Sequence, residues 1–288
     1  MKFTSSVQEK AYKQAMKRKY KAAAFDIDGT LTHFARFLVP HSLSRKLDAL
    51  TKNIPVAICT GRPLEYIRGE LGHIVHQKNA FVFCENGSIG YRYDPKTEDF
   101  KKILEIPWPH RAIKKDAMAA FLKDRFGWRI HIKHYKHTLV VIYPEWIYTF
   151  PKFARKVSAR AAKDARKLLK EMDMHEHFTI RDSGIGLIVL PSNSGKGPAM
   201  QAWAKHLKIP VRSILTIGDQ AGPGENDEDF LNGKNGTAFT VGKQTKNTWP
   251  LPVLENSGLS KSGSFKSNPR KIWGPEGTES LLEQVKFA

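Results

Sequence analysis

Phe25-Asp26-Ile27-Asp28-Gly29-Thr30-Leu31-Thr32 follows the small apolar run Ala22-Ala23-Ala24 without a break, and its reading decides the fold. A short buried strand that runs into a turn sends carboxylates at i and i+2 out of the same end of a sheet. Two carboxylates held that close repel each other unless a cation joins them or one takes a proton. The pair therefore suits a hard divalent metal such as Mg²⁺, with one Asp free to attack an electrophile and the other to shuttle a proton. Alone, Asp28-Gly29 is also ordinary turn chemistry, so the rest of the chain has to discriminate.

Outward from this stretch the apolar pattern alternates. Residues 20–28 read as a first strand. Residues 41–53 read as a helix, with Leu43, Leu47 and Leu50 on one side and Ser42 near its start. A second apolar run at 55–60 ends in Thr60-Gly61-Arg62-Pro63, a helix follows through 64–71, and a third run covers 80–84. Strand, helix, strand, helix, strand at this spacing predicts an α/β fold with a doubly wound parallel sheet and right-handed crossovers. Ligands gather at the carboxyl ends of such strands. Asp26, Thr60 and Glu85-Asn86-Gly87 all fall there.

From Tyr91 the texture changes. Helical signals at 111–126 and 151–172 are each followed by two strand signals, at 128–134 and 138–143, then at 178–182 and 186–190. This predicts a small α+β module over 91–187, inserted into a discontinuous core of 1–90 and 188–288, because the parallel pattern resumes at 197–217. Residues 243–274 are rich in Lys, Ser, Asn, Gly and Pro without periodicity, which reads as a long mobile or binding loop.

At 288 residues, 41% hydrophobic and 26% charged, the composition is that of a soluble globular protein. No apolar run reaches the roughly 20 residues of a membrane span. The basic start of the chain reads as a solvated helix packed on the core rather than a secretory signal. Cys59 and Cys84 each end an apolar run and read as buried thiols in a reducing compartment, which makes a cytoplasmic location the expectation. The net charge of +19 favours anionic partners without choosing among phosphorylated metabolites, polyanions and membrane surfaces. The basic run at 152–170 reads as one solvated helix face.

Three further signals join the carboxylate pair. Thr60 supplies a hydroxyl in a turn, with Gly61 and Arg62, whose backbone N–H groups suit a phosphoryl oxygen. Lys196, in Ser192-Asn193-Ser194-Gly195-Lys196-Gly197, stands just before a helix as a point charge for nucleophile and phosphate. Gly218-Asp219 opens an acidic loop that continues through Glu225-Asn226-Asp227 and offers oxygen ligands to a metal. Gly195-Lys196-Gly197 lacks the spacing of a P-loop. His131, His134 and His137 do not share the strand face that joint zinc ligation would need.

In this order and placement, the motifs resemble those of the haloacid dehalogenase superfamily of phosphotransferases over residues 20–242. The resemblance implies a Rossmann-like core in which Asp26 is the nucleophile that becomes an aspartyl-phosphate and Asp28 the general acid/base. It implies that Thr60 and Lys196 orient the phosphoryl group. Asp26, the Asp28 carbonyl and Asp219 would hold Mg²⁺, with Asp227 supporting or ligating. The interval from Asp26 to Thr60 leaves no room for a cap, and that from Thr60 to Lys196 contains the inserted module. This is similar to the C2-capped branch, type IIB, which includes sucrose-phosphate and trehalose-phosphate phosphatases and phosphomannomutases. By the same resemblance Asn86 and Gly87 line the substrate site, and Arg181 is a candidate cap contact to substrate. The eight-position interval from Asp219 to Asp227, across Gln220-Ala221-Gly222-Pro223-Gly224-Glu225-Asn226, departs from the commoner short form and resembles phosphomannomutases. Which of Asp219, Asp227 and Asp229 touches metal stays open at this point.

The leading expectation is a Mg²⁺-dependent phosphatase of a small phosphorylated metabolite, a sugar phosphate by preference. A phosphosugar mutase is the first alternative. Nucleic-acid end processing or binding, suggested by the charge, is the second. It is less favoured, because a lid over the site hinders a polymer, and Trp128, Tyr135, Trp146 and Tyr148 suit a cap core better than base stacking.

Overall fold

The computed structural model describes residues 3–33, 38–126, 137–143, 151–255 and 270–288. Its first half contains α1 (Ser6–Lys17), β1 (Lys19–Tyr20), β2 (Ala22–Phe25), α2 (His41–Asn53), β3 (Val56–Cys59), α3 (Leu64–Glu70), α4 (Gly72–Val75), β4 (Ala80–Cys84), β5 (Ile89–Asp94) and β6 (Asp99–Glu105). Then come α5 (Lys115–Phe126), β7 (Val140–Ile142), α6 (Pro151–Glu171), β8 (Phe178–Asp182) and β9 (Leu187–Pro191). The chain ends with α7 (Lys196–Leu207), β10 (Ile214–Gly218), β11 (Thr237–Thr240), β12 (Leu251–Pro252), α8 (Gly274–Gln284) and β13 (Lys286–Phe287).

One sheet has the strand order β12-β11-β10-β2-β3-β4-β5-β6. Its first six strands are parallel and its last two antiparallel. From β2 the chain steps one way through β3 and β4, then resumes on the other side through β10 and β11. The order reverses at β2, so the crevice between β2 and β10 opens at the carboxyl edge, where α/β sheets bind their ligands.

The two faces of this sheet follow from the period of a strand. Ala22, Ala24, Ala57, Cys59, Phe81 and Phe83 pack with Met200 and Trp203 of α7. Their chain neighbours Ala23, Phe25, Val56, Ile58 and Val82 pack on the opposite side with Leu43 and Leu47 of α2 and Tyr12 of α1. Helix α2 has no side-chain N-cap. Ser42 instead donates to Glu279 Oε2 (3.0 Å). The apolar stripe therefore holds this helix: truncating Leu43 or Leu47 to Ala would cost about 2–5 kcal/mol, against about 1 kcal/mol for a cap.

A second sheet, β7-β9-β8, is antiparallel. Met118 and Leu122 of α5 and Ala161, Ala162, Ala165 and Leu169 of α6 pack with its Phe178, Ile180, Leu187 and Val189. Lys156, Arg160, Lys163 and Lys167 are exposed on the outer side of α6, as expected of a solvated basic face.

Three sequence expectations change. Residues 91–105 extend the larger sheet through β5 and β6, where the inserted module was expected to begin at 91. The change of texture there marks the switch to antiparallel strands with one exposed face, and β6 is mostly exposed. At the other end β9 lies wholly in the smaller sheet, so a boundary at 188 cuts through a strand. Within 243–274, Leu251, Val253 and Leu254 are buried and β12 joins the sheet edge, pinned by Gln8 Nε2 of α1, which donates to Asn247 and Thr248 carbonyls (3.2 Å each). Helix α1 is thus packed on the core by Tyr12 and Ala15. The strand expected at 128–134, with His131, His134, Trp128, Tyr135, Trp146 and Tyr148, lies outside the described residues.

Candidate active site

The turn after β2 is set by its own backbone. Ile27 O accepts from the N–H groups of Thr30 (3.1 Å), Leu31 (2.9 Å) and Thr32 (3.0 Å), while Thr278 of α8 donates its hydroxyl to Thr30 O (2.8 Å). Gly29 has φ +83°, and a Cβ there would strike the Asp219 carboxylate, so only glycine lets the two loops close on each other. The Asp26 N–H donates to Ile217 O (2.9 Å), which keeps β2 and β10 paired up to the carboxylate itself.

Asp26 and Lys196 are buried, Lys196 completely. Lys196 Nζ donates to Asp26 Oδ1 (2.5 Å) and to Asp227 Oδ1 (2.6 Å). Asp227, also fully buried, accepts at Oδ2 from the N–H groups of Asp219 and Gln220 (3.2 Å each), so it folds the acidic loop around its own side chain. Asp26, Asp219 and Asp227 bring ligand oxygens within 4.8 Å of one another, and Asp219 Oδ1 is buried without a partner. Three carboxylates face one ammonium.

Electrostatics follow from that excess. Burial, with the Asp227 and Asp28 charges behind it, outweighs the opposing pull of Lys196 and pushes Asp26 up to about 7. Asp219 is held well above the carboxylate range by burial, then by Asp26 and Asp227. Burial works against the Lys196 charge, but Asp227 and Asp26 more than offset it and raise its pKa. An oxygen-only donor set with surplus negative charge and an orphaned buried carboxylate oxygen fits a divalent hard cation such as Mg²⁺.

Thr60 is buried at the end of β3, its N–H donating to Phe83 O (2.9 Å) and its hydroxyl accepting from the Arg62 N–H (3.2 Å). Asp28 is the exposed member of the pair, its side chain 40% accessible. Arg62 reaches it through Nη2 (2.5 Å) and Nε (3.3 Å) and spends Nη1 on Glu70 (2.5 Å). After β4, Glu85, Asn86 and Gly87 have φ of +51°, +55° and +83°, three consecutive left-handed residues. The Asn86 N–H donates to Thr60 O (2.8 Å), and both its amide side-chain atoms are buried without a partner beside Gly61. The Glu85 carboxylate reaches across to the smaller module and accepts from His137 N (2.8 Å), Thr138 N (2.7 Å) and Thr138 Oγ1 (2.7 Å).

Asp26, Asp219, Asp227 and Lys196 therefore meet, with Thr60, Gly61, Asn86 and Gly87 along the same edge. Arg181 does not join them. It pairs with Glu228 (2.5 Å) and Asp229 (3.5 Å) beside the acidic loop, and Asp229 is not among the carboxylates whose oxygens cluster with Asp26. Glu70 and Arg166 were missed by sequence reasoning, and Glu85 was placed at the strand end without its reach to Thr138, because no local signal marks contacts made across the fold.

Residues 23–243 match the family of haloacid dehalogenase-like hydrolases. A phosphoglycolate phosphatase of Archaeoglobus fulgidus is 30% identical over 217 residues, 74% of this chain and 80% of that protein. A phosphomannomutase of Spinacia oleracea is 37% identical over 70 residues, 24% of this chain and 28% of that protein. The solved IMP-nucleotidase of Plasmodium falciparum superposes with a TM-score of 0.63 at 16% identity, covering 94% of this chain and 69% of that one, a likeness of fold alone. The chain belongs to the haloacid dehalogenase-like hydrolase family. Its place is among the phosphatases of that family, the phosphoric monoester hydrolases. Among the described residues no helix is long and apolar enough to cross a membrane.

Proposed function

We propose that this protein is a Mg²⁺-dependent phosphatase that hydrolyses a small phosphorylated metabolite of the sugar-phosphate kind through an aspartyl-phosphate on Asp26. The observation that carries this reading is the convergence of Asp26, Asp219 and Asp227 around Lys196 at the point where the strand order reverses. The side chains of Asp26, Asp219 and Asp227 would hold the cation, with the Asp28 carbonyl contributing. Bound there, it supplies charge neutralisation for the transferring phosphoryl group.

The chain's own groups do the rest. Asp26 attacks phosphorus in line, and its new O–P bond forms as the bond to the leaving oxygen breaks. Asp28 gives that oxygen its proton. Asp28 then takes a proton from water, the resulting hydroxide attacks phosphorus, and the Asp26–phosphorus bond breaks to release inorganic phosphate. Lys196 keeps Asp26 in place through one of its three donors and stabilises the charge that develops on the phosphoryl oxygens. Thr60 and the unpartnered Asn86 amide supply polar contacts to substrate. The module joined to Glu85 covers this edge and selects what enters.

The test is phosphate release from a panel of phosphoglycolate, hexose phosphates and nucleoside monophosphates, with and without Mg²⁺, for wild type and Asp26→Asn. Metal-independent turnover, or full activity in the variant, would sink the mechanism. A mutase reading is favoured by the long Asp219–Asp227 interval and the phosphomannomutase match. Conversion of a hexose 1-phosphate to its 6-phosphate without phosphate release would establish it instead.

A further inference from the structure

The acidic loop has an inner and an outer part. Asp219 and Asp227 form the inner part, where the Asp227 side chain ties the two together. The outer lobe, Gly222 to Asn226 with Glu228 just past Asp227, has internal ties from Gly222 N to Glu225 Oε2 (2.5 Å) and from Gly224 N to Glu228 Oε2 (2.9 Å). Further backbone bonds run from Glu225 N to Gly222 O (3.0 Å) and from Glu228 N to Glu225 O (3.3 Å), and the smaller module adds anchors from outside. Gly224 O accepts from Asp182 N (2.8 Å) and from Arg166 Nη2 (2.8 Å). Glu228 and Asp229 take the two arms of Arg181.

The module's side of this contact is rigid. Arg166 also donates Nε to Ile180 O (3.1 Å), so one side chain joins α6, β8 and the loop. The Asp182 carboxylate accepts from Ser158 of α6 and from Gly184 N (2.8 Å). A Cβ at Gly224 would collide with the Arg166 guanidinium, and the residue's φ of +76° suits glycine, so the lobe is shaped for this arginine. Within the interval between Asp219 and Asp227 the module grips Gly224, and directly beyond Asp227 it grips Glu228 and Asp229.

We infer that Arg181, backed by Arg166, is a positioning residue of the metal loop: the smaller module sets the cation affinity of Asp219 and Asp227 by fixing the outer lobe. This rests on the proposal that those carboxylates hold the cation. A loop bearing mutually repelling carboxylates samples other arrangements unless its far end is fixed, and ordering it in advance lowers the cost of binding. The Glu228 carboxylate is 43% accessible, so its pair with Arg181 contributes little to global stability, while the longer and more buried Arg181–Asp229 contact is read by the metal-free unfolding of Arg181→Gln. Loss of the pair with Glu228 would free the lobe without unfolding the chain.

The experiment measures Mg²⁺ binding to substrate-free protein by titration calorimetry, beside Mg²⁺ activation, KM and metal-free thermal unfolding, for wild type, Arg181→Gln, Glu228→Gln and the conservative Arg181→Lys. Both Gln variants are expected to weaken cation binding by about tenfold, the scale of changes to groups that orient metal ligands. The activation midpoint should move by the same factor, with KM at saturating Mg²⁺ unchanged, and Arg181→Lys, which keeps a cation facing Glu228 and Asp229, should retain much of the binding. A rise in KM for Arg181→Gln with Mg²⁺ binding unchanged would make Arg181 a substrate contact and overturn the inference. Unchanged binding in both Gln variants would overturn it as well. A wild type that binds Mg²⁺ but hydrolyses nothing defeats the phosphatase reading alone, since the calorimetric comparison still decides the clamp.

Discussion

Asp26 and Asp28 are two positions apart and live in different surroundings. Asp26 is buried beneath Lys196, against Asp219 and Asp227, where a change of charge meets low dielectric and fixed partners. Asp28 stands at the rim, 40% accessible, held by the fork of Arg62 with Glu70 behind it. Solvent screens the rim and not the floor. One carboxylate is thereby prepared to hold a metal and attack, the other to exchange protons with a leaving group and water. The same difference ranks what substitutions should do: floor changes alter both stability and chemistry, rim changes alter chemistry alone.

The largest effect is expected at the nucleophile. Asp26→Asn should lower kcat by about three to four orders of magnitude while the chain still folds, as removal of a group acting in covalent catalysis does. Steady-state phosphate release with circular dichroism of both proteins checks this; retention of more than a tenth of the activity breaks the assigned roles. Next comes Lys196→Met, which strips the ammonium from between two buried carboxylates. A stability loss of about 3–5 kcal/mol is expected at pH 8 by urea unfolding. Adding Asp26→Asn to that variant should recover part of the loss, because one of the two uncompensated charges is then gone.

The pH dependence has a defined sign. With Asp26 raised to about 7 in the metal-free fold, its contribution to stability is full below the ordinary aspartate range near 3.8 and is lost as pH rises through 7. Asp219 is raised too and acts in the same direction. The metal-free protein should therefore lose up to a few kcal/mol between pH 5 and 8 from these groups. Mg²⁺ should raise the melting temperature more at pH 8 than at pH 5, since it binds the deprotonated form. Equal metal stabilisation at both values would show that the floor does not titrate on binding.

Much of this floor was legible in the chain. Asp26, Thr60, Lys196 and Asp219 each follow a strand signal or precede a helix, and a parallel sheet gathers such positions at one edge. Asp227 was named from the sequence as supporting or ligating the metal, and the fold adds that its carboxylate also ties the loop through the Asp219 and Gln220 N–H groups. The rim and the roof were not legible. Arg62 was read as a substrate contact through the backbone N–H groups of its turn, and nothing local says that its own N–H turns to Thr60 and its guanidinium to Asp28 and Glu70; Arg181 was misread because a strand residue carries no mark of the loop it will meet. β5 and β6 were misplaced for a similar reason: alternation shows a half-exposed strand without showing which sheet it joins. Leu251, Val253 and Leu254 were hidden by the polar residues around them, although the buried edge they complete is continuous with the core.

The rim gives the smallest effect and the cleanest contrast with the floor. Arg62→Lys keeps the charge near Asp28 but loses the planar fork that contacts it through Nη2 and Nε, so the acid is less well oriented. Stability should change by less than about 1 kcal/mol, as for other partly exposed ion pairs. Turnover of an alkyl phosphate, whose leaving oxygen needs a proton, should fall about tenfold, a fraction of what general acid catalysis supplies. Turnover of p-nitrophenyl phosphate, whose leaving group departs without one, should fall far less. A variant that slows both substrates equally would place Arg62 on the phosphoryl group, as the sequence reading had it, and would erase the distinction between the attacking carboxylate and the proton-carrying one at that residue.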